Sequence, residues 1–233
     1  MTNRKLSVRR TTLADEVYSH LRDSIVTLRL KPGQMVYENE LAASLGVSRT
    51  PIREAFRILS AEELIEILPQ RGVKISNISR KKVMDAWFVR STLENEAIKK
   101  IAETWNPGDE YCRRLSGELR GMIETQRKGA AANDYRLFLV SDIGFHNKLL
   151  EYFNNPTLTQ VVLAMRNHVN RVTSLEQQEM REFDHVIGDH EKILQTIERN
   201  DVPGAEQALR VHFGRLMANF QKLVARYPDY FVD

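Results

Sequence analysis

The sequence predicts a mostly α-helical chain in two parts. Residues 1–78 form a winged helix-turn-helix with a small β-hairpin wing, and residues 79–233 form an all-α helical bundle. Three observations predict this. Two short helical patterns meet at a glycine and are followed by two β-prone pieces. The surplus positive charge is confined to the N-terminal third. From Lys82 onward the chain shows helical spacing and no convincing strand.

The composition sets the outer bounds. The 233 residues are 42% hydrophobic and 28% charged, which is normal for a globular protein. No apolar run approaches the roughly 18–20 residues needed to span a bilayer, and MTNRKLSVRRTT lacks the apolar stretch of a secretory signal. Cys112 is the only cysteine, which excludes an intrachain disulfide or a cysteine-based zinc site and suits a reducing cytoplasm. The net charge of +3 divides unevenly. Residues 1–80 hold 13 Lys and Arg against 9 Asp and Glu, and the remainder hold 21 against 22. A basic module joined to a neutral one suggests a polyanion partner for the former.

Residues 1–12 read as a flexible basic arm able to touch phosphates. Leu13 to Leu28 is amphipathic, with Val17, Leu21, Ile25 and Leu28 on one face, and Lys31-Pro32-Gly33 breaks it. Glu38 to Leu45 is a second helix with Leu41, Ala42 and Leu45 inward. Gly46 supplies the left-handed residue that ends it. In Val47 to Leu59, Ile52, Ala55, Phe56 and Leu59 make an apolar stripe, and Arg49, Arg53 and Arg57 line another side at i, i+4, i+8. Like charges on one helical row repel by a few tenths of a kcal/mol per pair; a polyanion lying along the row reverses the sign. Ser48 or Thr50 can cap the start, with Pro51 in the first turn. This helix is expected to run to about Glu63. The pieces Leu64–Leu68 and Val73–Ile75 then form a hairpin, with Arg71 at its tip beside Gly72. An arginine there suits a narrow minor groove, although a solvated turn arginine has the same sequence signature. Ser79 caps the next helix.

Helical spacing recurs over 82–104, 108–128, 133–153, 157–173, about 183–199 and 202–226, punctuated by Pro, Gly and Asn. Three of these apolar stripes are interrupted by polar residues that can bind a metal: Asp142 and His146 one turn apart, then His190, then His212. A lone buried histidine is usually just hydrogen-bonded in a core. Three of them with an Asp suit one divalent cation, which also removes the cost of an unpartnered buried carboxylate. Arg90, with Glu94 one turn on, can hold an anionic ligand beside the metal or simply pair along its helix. His20, His168 and His185 show no such alignment.

These residues resemble the GntR superfamily of bacterial transcription regulators, in the FadR-like branch with an FCD effector domain. The N-terminal resemblance rests on Leu41-Ala42, on Leu45-Gly46-Val47-Ser48-Arg49-Thr50-Pro51-Ile52-Arg53-Glu54-Ala55, on Leu59 and on Arg71-Gly72. The C-terminal one rests on Arg90-x-x-Leu93-Glu94, Asp142-x-x-Phe145-His146, His190 and Asp201…Ala205…His212. The resemblance implies a homodimer binding an inverted-repeat operator on double-stranded DNA. It implies that Ser48, Arg49, Thr50 and Arg53 contact bases or phosphates and that Gly72 lets the wing approach the minor groove. Many members carry Arg where this chain has Asn39; Arg pairs with guanine and Asn favours adenine, so the sequence read here differs at that position. The family also implies a metal on Asp142, His146, His190 and His212, most often zinc, with nickel or another first-row ion in some members, and a small organic acid as effector.

The expected protein is therefore a cytoplasmic, ligand-responsive transcription regulator rather than an enzyme. Two alternatives carry different signatures. A metalloenzyme with a DNA-binding head needs a second general base, and none is recognisable. A purely structural metal leaves the effector elsewhere or absent.

Overall fold

The computed structural model describes residues 12–181 and 183–233. Only Thr12 of the N-terminal basic arm lies among them; the rest of that arm is outside the described residues. The chain divides into two compact units that meet between Asn77 and Ile78.

In the first unit, α1 (Leu13–Val26) starts at a capping box in which Thr12 and Asp15 satisfy each other's backbone N–H groups. The helix ends earlier than the break at Pro32 suggests, because Leu28 takes a left-handed conformation at φ 58° and still buries its side chain. Next come β1 (Met35–Val36), α2 (Glu38–Leu45) and α3 (Arg49–Ala61). Gly46 joins the two helices at φ 66°, ψ 30°, and the Val47 N–H returns to the Ala42 carbonyl at 3.1 Å. Ser48 stands at the N-cap of α3 in an extended conformation without donating or accepting a side-chain capping bond, so the cap is positional only. Ile52, Ala55 and Leu59 are fully buried and Phe56 nearly so, packed with Val17, Leu21 and Ile25 of α1. Each large apolar side chain so buried contributes about 1.5–3 kcal/mol relative to exposure. The helix stops at Ala61, two residues short of expectation, because Glu63 turns left-handed at φ 58° to start the wing.

The wing is β2 (Ile65–Leu68) and β3 (Gly72–Ile75), antiparallel with Leu68 opposite Gly72. A third strand, β1, pairs with β3 through Met35–Lys74 and Val36–Val73, giving the order β1-β3-β2. Two residues are too few for an alternating pattern, so β1 leaves no trace in the sequence; the edge of β3 creates it. Gly72 has φ 101°, and a Cβ there would lie 2.9 Å from the Val36 carbonyl oxygen and 3.0 Å from the Tyr37 ring. This glycine is therefore needed for folding the wing onto β1.

In the second unit, α4 (Arg80–Thr104), α5 (Glu110–Ala131), α6 (Tyr135–Phe153), α7 (Pro156–Met180), α8 (Phe183–Glu198) and α9 (Val202–Arg226) form the helical bundle. Ser79 caps α4 by accepting from the Lys82 N–H at 3.2 Å. One apolar core, including Leu119, Phe138, Phe145, Ile193, Ile197 and Leu209, runs through α4, α5, α6, α8 and α9. Two sequence expectations are corrected. First, α7 continues to Met180 because Leu175 and Gln177 stay buried past residue 173, and no Gly or Pro interrupts the stretch. Second, the unit does contain strands: β4 (Ile78–Ser79) pairs in parallel with β5 (Phe231–Val232). Phe231 anchors this ladder by meeting the Phe220 ring edge-on, 5.9 Å between centroids.

The glycine geometry generates an ordered prediction. Gly72→Ala should destabilise the N-terminal unit by about 1–3 kcal/mol, since it forces positive φ and a backbone clash together. Gly46→Ala also forces positive φ but meets open space, so it should cost about 1–2 kcal/mol, less than Gly72→Ala. Hydrogen exchange at the β2 and β3 amides of the full chain reads both.

Candidate nucleic-acid interface and metal centre

The exposed side of α3 and the wing border one groove, lined by Arg49, Arg53 and Arg57 from the helix and by Ile67, Arg71 and Gly72 from the hairpin. Asn39 and Tyr37 line it at the start of α2. Ser48, Arg49, Thr50, Arg53, Arg57 and Arg71 are all exposed, as is Asn39. The groove thus brings together Asn39, Arg49, Arg53, Arg71 and Gly72, whereas Ser48 and Thr50 are exposed but outside its lining. Their arrangement follows from α3 itself: burying Ile52, Phe56 and Leu59 turns the arginine row outward. Sequence reading missed Glu38. Its Oε2 accepts from Arg53 Nε at 2.8 Å, and its Oε1 lies 3.8 Å from Arg49 Nε. No periodicity marks an acidic residue 15 positions from its arginine.

The second unit brings Asp142, His146, His190 and His212 together. One ligand atom from each lies within 4.8 Å of the others. Asp142 and His146 come from α6, His190 from α8 and His212 from α9. The imidazoles are held by stacking: Phe145 lies on His190 at 4.3 Å between centroids, and Phe213 on His146 at 5.6 Å.

Each ring turns its Nδ1 outward to a different oxygen. His146 Nδ1 is 3.3 Å from Glu94 Oε2, His190 Nδ1 is 2.9 Å from Gln126 Oε1, and His212 Nδ1 is 3.8 Å from Asp189 Oδ2. The Nε2 atoms turn inward. Those of His146 and His212 are 3.0 Å apart, and that of His190 is 3.5 Å from Asp142 Oδ1. An outer oxygen that takes the Nδ1 proton leaves Nε2 with its lone pair, the form a metal binds. Lone pairs facing one another at that distance repel, and the buried His190 Nε2 has no hydrogen-bond partner. Burial also opposes protonation of two of the rings, His146 and His190. It pushes His146 down to about 4 despite the pull of Glu94, and it drives His190 well below the usual histidine value, aided by the neighbouring His212 and His146. Three imidazole nitrogens and one carboxylate oxygen converging at these distances fit a divalent first-row cation.

Glu94 organises the charges behind this cluster. Arg90 Nε donates to its Oε1 at 2.6 Å and Arg166 donates to its Oε2 at 3.0 Å, with all three residues buried. Burial opposes ionisation of the carboxyl, but Arg166, Arg90 and His146 outweigh it and hold Glu94 well below the ordinary carboxylate range. The Arg90–Glu94 helix pair anticipated from sequence is therefore present, with Arg90 also lying 4.6 Å over the Phe213 ring. Asp189 is gripped in turn by two nitrogens of Arg215, at 2.6 and 3.2 Å. Sequence reading missed Gln126, Arg166 and Asp189. Gln126 was findable, since it interrupts the Leu119, Ile123 stripe of α5 as the histidines interrupt theirs. Arg166 was findable in the same way, since it falls between Val162 and Val169 on the buried stripe of α7.

A winged helix-turn-helix joined to a helical bundle with a buried histidine and aspartate cluster defines a class of DNA-binding transcription regulators. Residues 13–75 match the gntR family of bacterial regulatory proteins, and residues 85–215 match the FCD domain. The chain belongs to the GntR family. It is 31% identical to an uncharacterized HTH-type transcriptional regulator from an unstable DNA locus of Streptomyces ambofaciens, over 93% of this chain and 88% of that one. It is 30% identical to the probable D-xylose utilization operon transcriptional repressor of Paenarthrobacter nicotinovorans, over 91% and 89%. The same fold occurs in Escherichia coli McbR/YncC, with a TM-score of 0.80 and 19% identity over 94% of this chain and all of that one. These relatives are named as regulators and repressors, and the chain is a regulator rather than an enzyme. Among the described residues, no helix is long and apolar enough to cross a membrane.

The charge cluster around Glu94 makes a sharp stability prediction. Glu94→Leu leaves two guanidinium groups buried without their carboxylate and should cost about 3–5 kcal/mol. Glu94→Gln, which keeps the shape and accepts hydrogen bonds, should cost less. Urea denaturation monitored by circular dichroism compares the two.

Proposed function

We propose that this DNA-binding regulator changes its operator affinity when a small carboxylate metabolite binds at a divalent metal in the helical unit. The observation that carries the reading is the inward convergence of three histidine Nε2 atoms and Asp142, with the Nδ1 atoms of His146 and His190 each facing an outer oxygen. Asp142, His146, His190 and His212 would hold the cation, zinc being the best match to the nitrogen-rich set and nickel a close second. When bound, such a cation supplies a Lewis-acidic centre that attracts an anionic ligand. Arg90 and Arg166 supply positive charge behind His146, and Glu94 offsets only part of it. The buried surroundings therefore favour an added anion.

At the other end, Ser48, Arg49, Thr50, Arg53, Asn39 and the wing residues Arg71 and Gly72 would face the operator. The reading is of a homodimer on an inverted repeat, working in the bacterial cytoplasm. A ligand can move operator affinity only by binding the DNA-competent and incompetent states differently, and about 1.4 kcal/mol of such coupling gives a tenfold change.

Two experiments test the two ends. Arg49→Ala and Arg53→Ala should each weaken binding to a selected operator duplex by about 1–3 kcal/mol in a mobility-shift titration, with Arg57→Ala costing less. Undiminished binding by both variants would sink the interface. For the metal, isothermal titration of the chelator-stripped protein with zinc should give one site per chain, and His190→Ala should abolish it. A full-strength site in His190→Ala would remove this centre from the account.

A further inference from the structure

Glu38 opens α2 and stands between the first two arginines of α3. Its Oε2 accepts from Arg53 Nε at 2.8 Å, and its Oε1 lies 3.8 Å from Arg49 Nε, an ion-pair distance without a hydrogen bond. The terminal nitrogens of Arg53 have no other partner among the described residues. Both arginine side chains are more than 60% exposed, whereas Glu38 is only 24% exposed and sits beneath them. A guanine edge is read by the terminal fork of an arginine, not by its Nε. A carboxylate on Nε therefore buttresses the fork without occupying it.

We propose that Glu38 is a positioning residue for sequence discrimination: it aims the forks of Arg49 and Arg53 at the base edges and lowers the charge available for indiscriminate phosphate binding. The proposal rests on the reading of α3 as the DNA-facing helix. Three physical effects support it. A long arginine side chain loses rotamer freedom when it is held in place, and a partner at Nε removes part of that cost before DNA arrives. The carboxylate relieves the like-charge repulsion between residues one helical turn apart. It also offsets one charge of the arginine row, and attraction to phosphates scales with the number of charges that can be neutralised. An arginine face without Glu38 would hold any duplex more firmly and the right duplex less selectively.

The test uses the full chain and two duplexes: one selected by the wild-type protein from a randomised library, and a scrambled version of it. Fluorescence anisotropy over a salt series gives both affinities and their salt slopes. Glu38→Gln should weaken binding to the selected duplex and leave or strengthen binding to the scrambled one. The ratio of the two should fall roughly tenfold, and the log–log salt slope on the scrambled duplex should steepen by about one. In an Arg49→Ala/Arg53→Ala background, Glu38→Gln should change neither. If Glu38→Gln melts early, Glu38→Asp keeps the charge at the start of α2 but shortens its reach, and should lower the ratio with the fold intact. An unchanged ratio overturns the proposal. So does an equal loss in the arginine-free background, which would mean that Glu38 itself contacts a base. Full-strength binding by Arg53→Ala overturns the interface and this proposal together, whereas normal loss at Arg53→Ala with no effect at Glu38 overturns this proposal alone.

Discussion

The helical unit depends on one buried carboxylate. Glu94 receives Arg90 on one oxygen and Arg166 on the other, and the second oxygen also faces His146. Taking two guanidinium groups out of water costs several kcal/mol each unless the charge is answered at close range. Glu94 answers both, and by taking the Nδ1 side of His146 it also leaves that ring's Nε2 directed into the cluster. Packing of α4, α6 and α7 and the chemistry of the site thus share one residue. The ion pair would be hard to justify by stability alone, because an apolar replacement of equal volume avoids the desolvation. It suits the anionic ligand proposed for this unit.

A second carboxylate does related work in the first unit under different physics. Glu38 also serves two arginines, but those arginines stand in solvent, where an ion pair contributes little to stability. What such a pair can do is orient. The contrast follows from burial: in a low-dielectric interior a carboxylate decides whether a charge is tolerated, and at an exposed surface it decides where a charge points.

The Asp142–histidine cluster shows the same division between inner and outer atoms. Asp142 and the three histidines come from three helices, so no single helix can assemble them. Their ring orientations are set by Glu94, Gln126 and Asp189, which come from α4, α5 and α8. Ligand placement in this unit therefore reports on the packing of most of the bundle. Gly72 plays a comparable part in the wing, where β3 can approach Val36 and Tyr37 only because no side chain intervenes.

The sequence alone determined the elements with strong periodicity and distinctive breakers. The apolar stripes of α1 and α3, the glycine between α2 and α3, the six helices of the bundle and the hairpin were legible because each rests on local spacing or backbone chemistry. The four cluster residues were legible too, since a polar residue on an apolar stripe is visible without a fold. Tertiary structure decided what depends on neighbours distant in the chain. Strand β1 exists because β3 offers it an edge. Strands β4 and β5, 153 residues apart at Ile78 and Phe231, pair because α9 ends beside the start of α4. Arg90 reads as a helix pair from its spacing, and only Arg166, arriving from α7, turns that pair into a three-residue buried network. Glu38 shares no periodicity with Arg53, and only the angle between α2 and α3 brings its carboxylate to the Nε edge. Local propensity is written along the chain, whereas charge compensation is a property of what the fold places within a few ångströms.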